Sequence, residues 1–101
     1  MLVWILSQGN HYEGGRTITV FTDEHRGLDA YGKMVDASLR GIKENEEWED
    51  QFYKDRPDYL SKIHERRHNK PVREFAYDDG SGRELTDSYH NYIMLKRWEC
   101  V

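Results

Sequence analysis

The first forty residues limit the fold more than any other part of the chain, because their apolar pattern changes period twice within a short span. Leu2 to Leu6 is an unbroken apolar run, as in a strand covered on both faces. Gly14-Gly15 supplies turn glycines, and Arg16 to Phe21 alternates, with Ile18 and Val20 on one face and Thr17, Thr19 and Phe21 on the other. Thr22 is an expected helix N-cap, with Asp23 and Glu24 suited to the positive end of the helix dipole. Leu28, Tyr31, Val35 and Leu39 then fall at steps of three, four and four, one face of a helix that Gly41 is expected to end or kink. The link from Ser7 to Gly15 reads as an exposed loop carrying Asn10, His11 and Tyr12.

Downstream, Trp48 and Phe52 stand one helical turn apart within Glu44 to Asp50, where five of seven residues are acidic. Pro57 cannot lie inside a helix but suits the first turn of a new one capped by Asp55 or Arg56. That helix is expected to bury Leu60 and Ile63 and to run to about His68, ahead of Pro71. Val72 to Tyr77 reads as a strand, Asp78 to Gly82 as a turn, and Tyr92 to Val101 as the closing strand. The expected architecture is α+β: an antiparallel or mixed sheet of about four strands packed by one or two helices, in the order ββα(α)ββ. Val3, Ile5, Ile18, Val20, Leu28, Val35, Ile93 and Leu95 are its expected core.

A chain of 101 residues fits a single domain with a modest core. Charged residues make up 34%, yet three Trp, seven Tyr and three Phe supply the apolar area that a disordered chain lacks. A formal charge of −4 argues against coating nucleic acid or an anionic membrane. The single cysteine, Cys100, excludes an internal disulfide and fits a reducing compartment. No apolar run approaches the roughly 18 residues of a membrane span. The apolar start lacks the basic lead-in of a signal peptide. The expected location is cytoplasmic, without membrane contact.

Val3-Trp4-Ile5-Leu6, Glu13-Gly14-Gly15 and Val20-Phe21-Thr22, with Trp98-Glu99 at the end of the last strand, resemble an uncharacterised class of small phage and bacterial proteins. The likeness covers about half of the chain, and its motifs are structural. It implies a phage-like accessory protein and lends no activity. Against that scaffold, residues 43–71 read as a charged helical insertion.

Two patterns in that segment invite a chemical reading. His64-Glu65-Arg66-Arg67-His68 matches the H-E-x-x-H zinc-protease pattern, in which two imidazoles one turn apart bind the metal and the carboxylate activates water. Here two arginines occupy the middle positions and would oppose a divalent cation. Pro71 also stands where a third-ligand motif would need glycine. A metal-dependent hydrolase built on His64, Glu65 and His68 is therefore disfavoured, and no cofactor is expected. The second pattern is a basic stripe, Lys62, Arg66 and Lys70 at steps of four, flanked by Arg67, His64, His68 and Arg73. It could meet nucleic-acid phosphates or an acidic partner; the plainer reading is a solvated face, or one paired with the acidic block. His11, His25 and His90 read as surface residues, and Asp78-Asp79-Gly80 lacks the spacing of a calcium loop. Ser7, Ser38, Ser61, Ser81 and Ser88 have no nucleophile elbow around them, and Cys100 reads as a strand residue.

The sequence thus favours a non-enzymatic interaction protein, a phage-encoded inhibitor or modulator of a host protein. Its expected contact residues are Trp48, Phe52, Tyr59, Lys62, Arg66, Arg67 and Lys70. A nucleic-acid-binding regulator using the basic stripe is the alternative.

Overall fold

The first and last strands pair along their whole length, and the rest of the sheet is built outward from that pair. The computed structural model describes residues 1–12, 14–87 and 91–100, so the expectations for Glu13, Ser88, His90 and Val101 lie outside it. The order is β1 (Leu2–Asn10), β2 (Gly14–Phe21), α1 (Glu24–Phe52), α2 (Pro57–Asn69), β3 (Arg73–Ala76), β4 (Gly82–Thr86) and β5 (Asn91–Glu99). The strands form one antiparallel sheet in the order β2-β1-β5-β4-β3. β1 and β5 run in register from Leu2↔Glu99 to Asn10↔Asn91. The α+β class stands, with five strands rather than four. The additional strand is β4, whose Gly-Arg-Glu-Leu-Thr sequence has one large apolar residue, Leu85, buried against the helix.

The helix-facing side of the sheet carries Trp4 and Leu6 from β1, Phe21 from β2, Leu85 from β4 and Ile93 and Leu95 from β5. Tyr31 and Val35 of α1 complete this core, with Ala30, Met34 and Val72 packed at its margin. Gly27 faces it too. A Cβ there would stand 3.3 Å from Trp4 Cβ and 3.4 Å from Leu95 Cδ1, so the glycine permits close approach of helix and sheet. The expected core needs correction at five positions. Val3 and Ile5 pair with Trp98 and Lys96 on the face turned away from α1, outside the core it covers. Ile18 and Val20 are exposed, because the helix-facing side of β2 is Thr17, Thr19 and Phe21. Leu28 is exposed because the buried face of α1 runs through Gly27, Tyr31 and Val35, one position round from it; Leu39 is exposed as well.

Further corrections concern boundaries. β1 continues to Asn10, so most of the expected loop after Ser7 is strand, with a bulge at Gly9/Asn10. Asp23, not Thr22, caps α1, its carboxylate accepting from the His25 N–H at 2.9 Å. Gly41 neither ends nor kinks that helix, which runs on to Phe52. Arg56 caps α2, and Pro57 opens it as expected.

Between Val35 and Glu49 no α1 residue is buried. From about Ser38 onward the helix overhangs the sheet, and its last fourteen residues extend roughly 20 Å. α2 returns along this overhang, giving a molecule 57 Å long and 24 Å across. Residues 43–71 thus comprise the end of α1, the connection, α2 and the lead into β3.

Candidate interaction surface

The acidic block and the basic stripe meet. Glu46, Glu49 and Asp50 share one face of α1, being three and four residues apart, and His64 and Arg67 share the opposing face of α2. Arg67 is the centre: its Nη1 donates to Asp50 Oδ1 at 3.0 Å, and its Nη2 donates to the Glu46 carbonyl at 3.3 Å. Nη2 also lies 3.6 Å from Glu49 Oε1, and Nε faces Glu46 Oε1 at 3.9 Å without a hydrogen bond. His64 Nε2 is 3.0 Å from the same Asp50 oxygen, and Arg66 Nη2 is 4.0 Å from Glu49 Oε2. Glu49 is buried and also accepts from Asn45 Nδ2 at 2.9 Å.

These contacts explain the local electrostatics. Hydrogen bonds from His64 and then Arg67 hold the Asp50 carboxyl below its ordinary range. Burial opposes the charge on Arg67, but Asp50, Glu46 and Glu49 outweigh it and keep the guanidinium more firmly protonated. Because the folded value for Asp50 is depressed, its contribution is complete above the ordinary value of 3.8 and is lost as pH falls through the lowered one. An NMR titration of α2 amides is expected to show the hairpin loosening only below about pH 4, and this step should be absent in Asp50→Asn.

At the free end of the hairpin the aromatic residues gather. Trp48 and Phe52 stack at 4.7 Å with an interplanar angle of 16°. Phe52 meets Tyr53 edge-on at 4.8 Å, and Tyr53 reaches across to Tyr59 of α2 at 4.5 Å. Four rings therefore bridge the turn. Trp48 is 54% exposed, Phe52 62% and Tyr59 48%. Tyr53 is the joint between the helices and was not singled out in the sequence. Its place beside Phe52, just ahead of the Pro57 break, was the available signal. Burial, and next Tyr59 beside it, raise its hydroxyl. Around these rings, residues 44–59 carry seven acidic side chains against Lys54 and Arg56.

The expected contact residues therefore divide. Trp48, Phe52 and Tyr59 come together at the tip. Arg66 and Arg67 turn toward α1 carboxylates, while Lys62 and Lys70 are exposed along α2. His64 and His68 are one turn apart, but His64 is engaged with Asp50, and no cluster of three or more metal-ligating side chains occurs among the described residues. His11 packs its ring on Tyr92 at 4.6 Å. Asp79 accepts from the Ser81 N–H at 2.9 Å within its turn. Cys100 is exposed, and its N–H donates to the Met1 carbonyl at 2.7 Å.

A cleft of about 640 Å³ lies at one end of the sheet, where Asn10, Asn91 and Asp87 face Ser38 of α1. Asn10 Nδ2 donates to Asn91 Oδ1, and Asn91 Nδ2 to Asp87 Oδ2, so these polar groups satisfy one another. No described helix is long and apolar enough to cross a membrane. Comparison with known protein families, curated proteins and solved structures found no match.

Proposed function

We propose that this chain acts by binding another protein through the aromatic tip of its helical hairpin, and that the surface it meets is basic. The observation that carries this reading is the cluster of Trp48, Phe52, Tyr53 and Tyr59, all but Tyr53 exposed, within an acidic surround. Aromatic side chains held in position by their neighbours are efficient anchors, since they bury large areas at small cost in rotamer freedom. The ion pairs between α1 and α2 support the same reading, because they hold the tip in one geometry before any partner arrives. The likeness of the scaffold to phage accessory proteins makes a host protein the expected target and modulation of its activity the expected outcome. The alternative of nucleic-acid binding draws less support. Phosphates would have to compete with Glu49 and Asp50 for Arg66 and Arg67, beside a tip whose charge repels them.

The test is a capture experiment from host lysate, followed by affinity measurement with the captured protein. Trp48→Ala and Phe52→Ala should each weaken binding about 30-fold or more. Lys62→Glu with Lys70→Glu should leave it within a few-fold, and added salt should slow association more than it speeds dissociation. Tight, salt-sensitive DNA or RNA binding, abolished by the lysine reversals and indifferent to Trp48→Ala, would overturn the reading.

A further inference from the structure

The face of the sheet turned away from α1 is apolar where an uncovered antiparallel sheet is ordinarily polar. Ile18 and Val20 are 48% and 57% exposed there, and Trp98 is half exposed beside them. Its central cation, Lys96, lies across aromatic rings, with Nζ 5.0 Å from the Trp98 ring centre and 5.9 Å from that of Tyr77. A depression of about 190 Å³ opens in this face around Ser7 and Met94. We propose that a second copy of this chain packs here, sheet against sheet, about a two-fold axis parallel to the strands and passing between β1 and β5.

The strand register is what points to a second copy rather than another partner. Residues on this face form rows across the sheet: Val20–Ile5–Lys96–Gly82, then Ile18–Ser7–Met94–Glu84, then Arg16–Gly9–Tyr92–Thr86. In every row β1 carries a smaller side chain than its β5 neighbour, and at the end of the sheet Val3 pairs with Trp98. The proposed axis keeps each row over itself while laying β5 of one copy over β1 of the other. Met94 then enters the depression above Ser7, Tyr92 covers Gly9, and Trp98 covers Val3. β2 likewise lies over β4, so the exposed Val20 meets Gly82, which has no side chain and admits none. A Cβ on Gly82 would overlap the Leu95 carbonyl oxygen. Large over small in successive rows is how two layers interdigitate.

Charge and area agree with this. Within one chain Arg16 and Glu84 stand on β2 and β4, three strand spacings or about 14 Å apart. The two-fold lays Arg16 of one copy over Thr86 of the other, one row or about 7 Å along the strand from Glu84, within reach of the long guanidinium side chain. The overlapping strands, β1 and β5 of nine residues with β2 of eight and β4 of five, present roughly 500 Å² of projected face, of the same order as the ~800 Å² of accessible surface each partner buries in a standard interface. Lys96 lies over Ile5 of the other copy, with its ammonium drawn aside toward the Trp98 and Tyr77 rings of its own chain. The hairpins project away from this contact, so dimerisation would leave both aromatic tips accessible.

The experiment is sedimentation equilibrium of the full chain from micromolar to about millimolar concentration, with isotope-filtered NOE spectra on a mixture of labelled and unlabelled protein. A dimer is expected, with intermolecular contacts from the Met94 methyl to Ser7. Val20→Glu, an exposed substitution, should be monomeric with an unchanged circular dichroism spectrum. Arg16→Glu and Glu84→Arg should each weaken the dimer several-fold, and the double exchange should recover most of the loss, which intramolecular pairing across 14 Å could not do. A wild-type chain that stays monomeric to about millimolar concentration, a dimer indifferent to Val20→Glu, or intermolecular contacts confined to the hairpin tip would each overturn the proposal.

Discussion

Leu95→Ala is expected to destabilise the fold by about 2–5 kcal/mol, a large part of what a chain this size has available. Leu95 is 2% exposed, on the strand at the middle of the sheet. It faces Gly27 of α1 within van der Waals reach, so the helix backbone itself packs on this side chain. Removing the isopropyl group opens a cavity between sheet and helix that neither can close without losing Leu6, Tyr31 and Val35 from their present contacts. Ile18→Ala provides the comparison, since it removes an apolar group of similar size from an exposed position in the same sheet. Its cost in the monomer should be below about 1 kcal/mol. Urea denaturation of both variants in a Val20→Glu background, which separates folding from association, measures the difference. Equal losses at the two positions would mean that the helix lies against the other face of the sheet.

That comparison also marks where the sequence could be read and where it could not. Ile18 and Val20 alternate as a half-buried strand should, and the alternation does separate two faces. Periodicity does not say which face a helix will cover, and α1 took the side of Thr17, Thr19 and Phe21. The deciding residue is Gly27, which as a helix glycine reads as a weakness. Its lack of a side chain is what lets the helix approach Trp4 and Leu95. β4 was missed because its inward position is a single leucine between charged residues. Its place is set by pairing with β5 and β3, which local pattern does not report. The tip was half legible: the spacing of Trp48 and Phe52 showed them on one face, but the antiparallel return of α2 was needed to bring Tyr59 to Tyr53. The same return turns a basic stripe and an acidic block into one network.

That network supplies the second large effect. Arg67→Met should cost about 2–3 kcal/mol, less than the ~3–5 kcal/mol for breaking a fully buried pair, because Asp50 is half exposed and can be solvated. Most of the loss comes from Glu49, which is buried and would lose the Arg67 guanidinium 3.6 Å away, while Arg66 stands farther off at 4.0 Å. A carboxylate left there must either lose solvation or draw the hairpin apart to recover it. The charge, rather than the missing packing, can be isolated. Glu49→Gln in the Arg67→Met background removes the charge that has lost its Arg67 partner while keeping the shape, so the double variant should regain more than half of the loss. The measurement is urea denaturation of wild type, both single variants and the double variant, with hydrogen exchange of the α1 and α2 amides to locate the opening. Protection should fall first from about residue 43 to residue 69 and stay near wild type in β1 and β5. A loss from Arg67→Met that Glu49→Gln leaves uncorrected would show that the guanidinium acts by covering apolar surface between the helices. In that case the hairpin would owe its alignment to Ile63 and the tip aromatics rather than to the meeting of its charges.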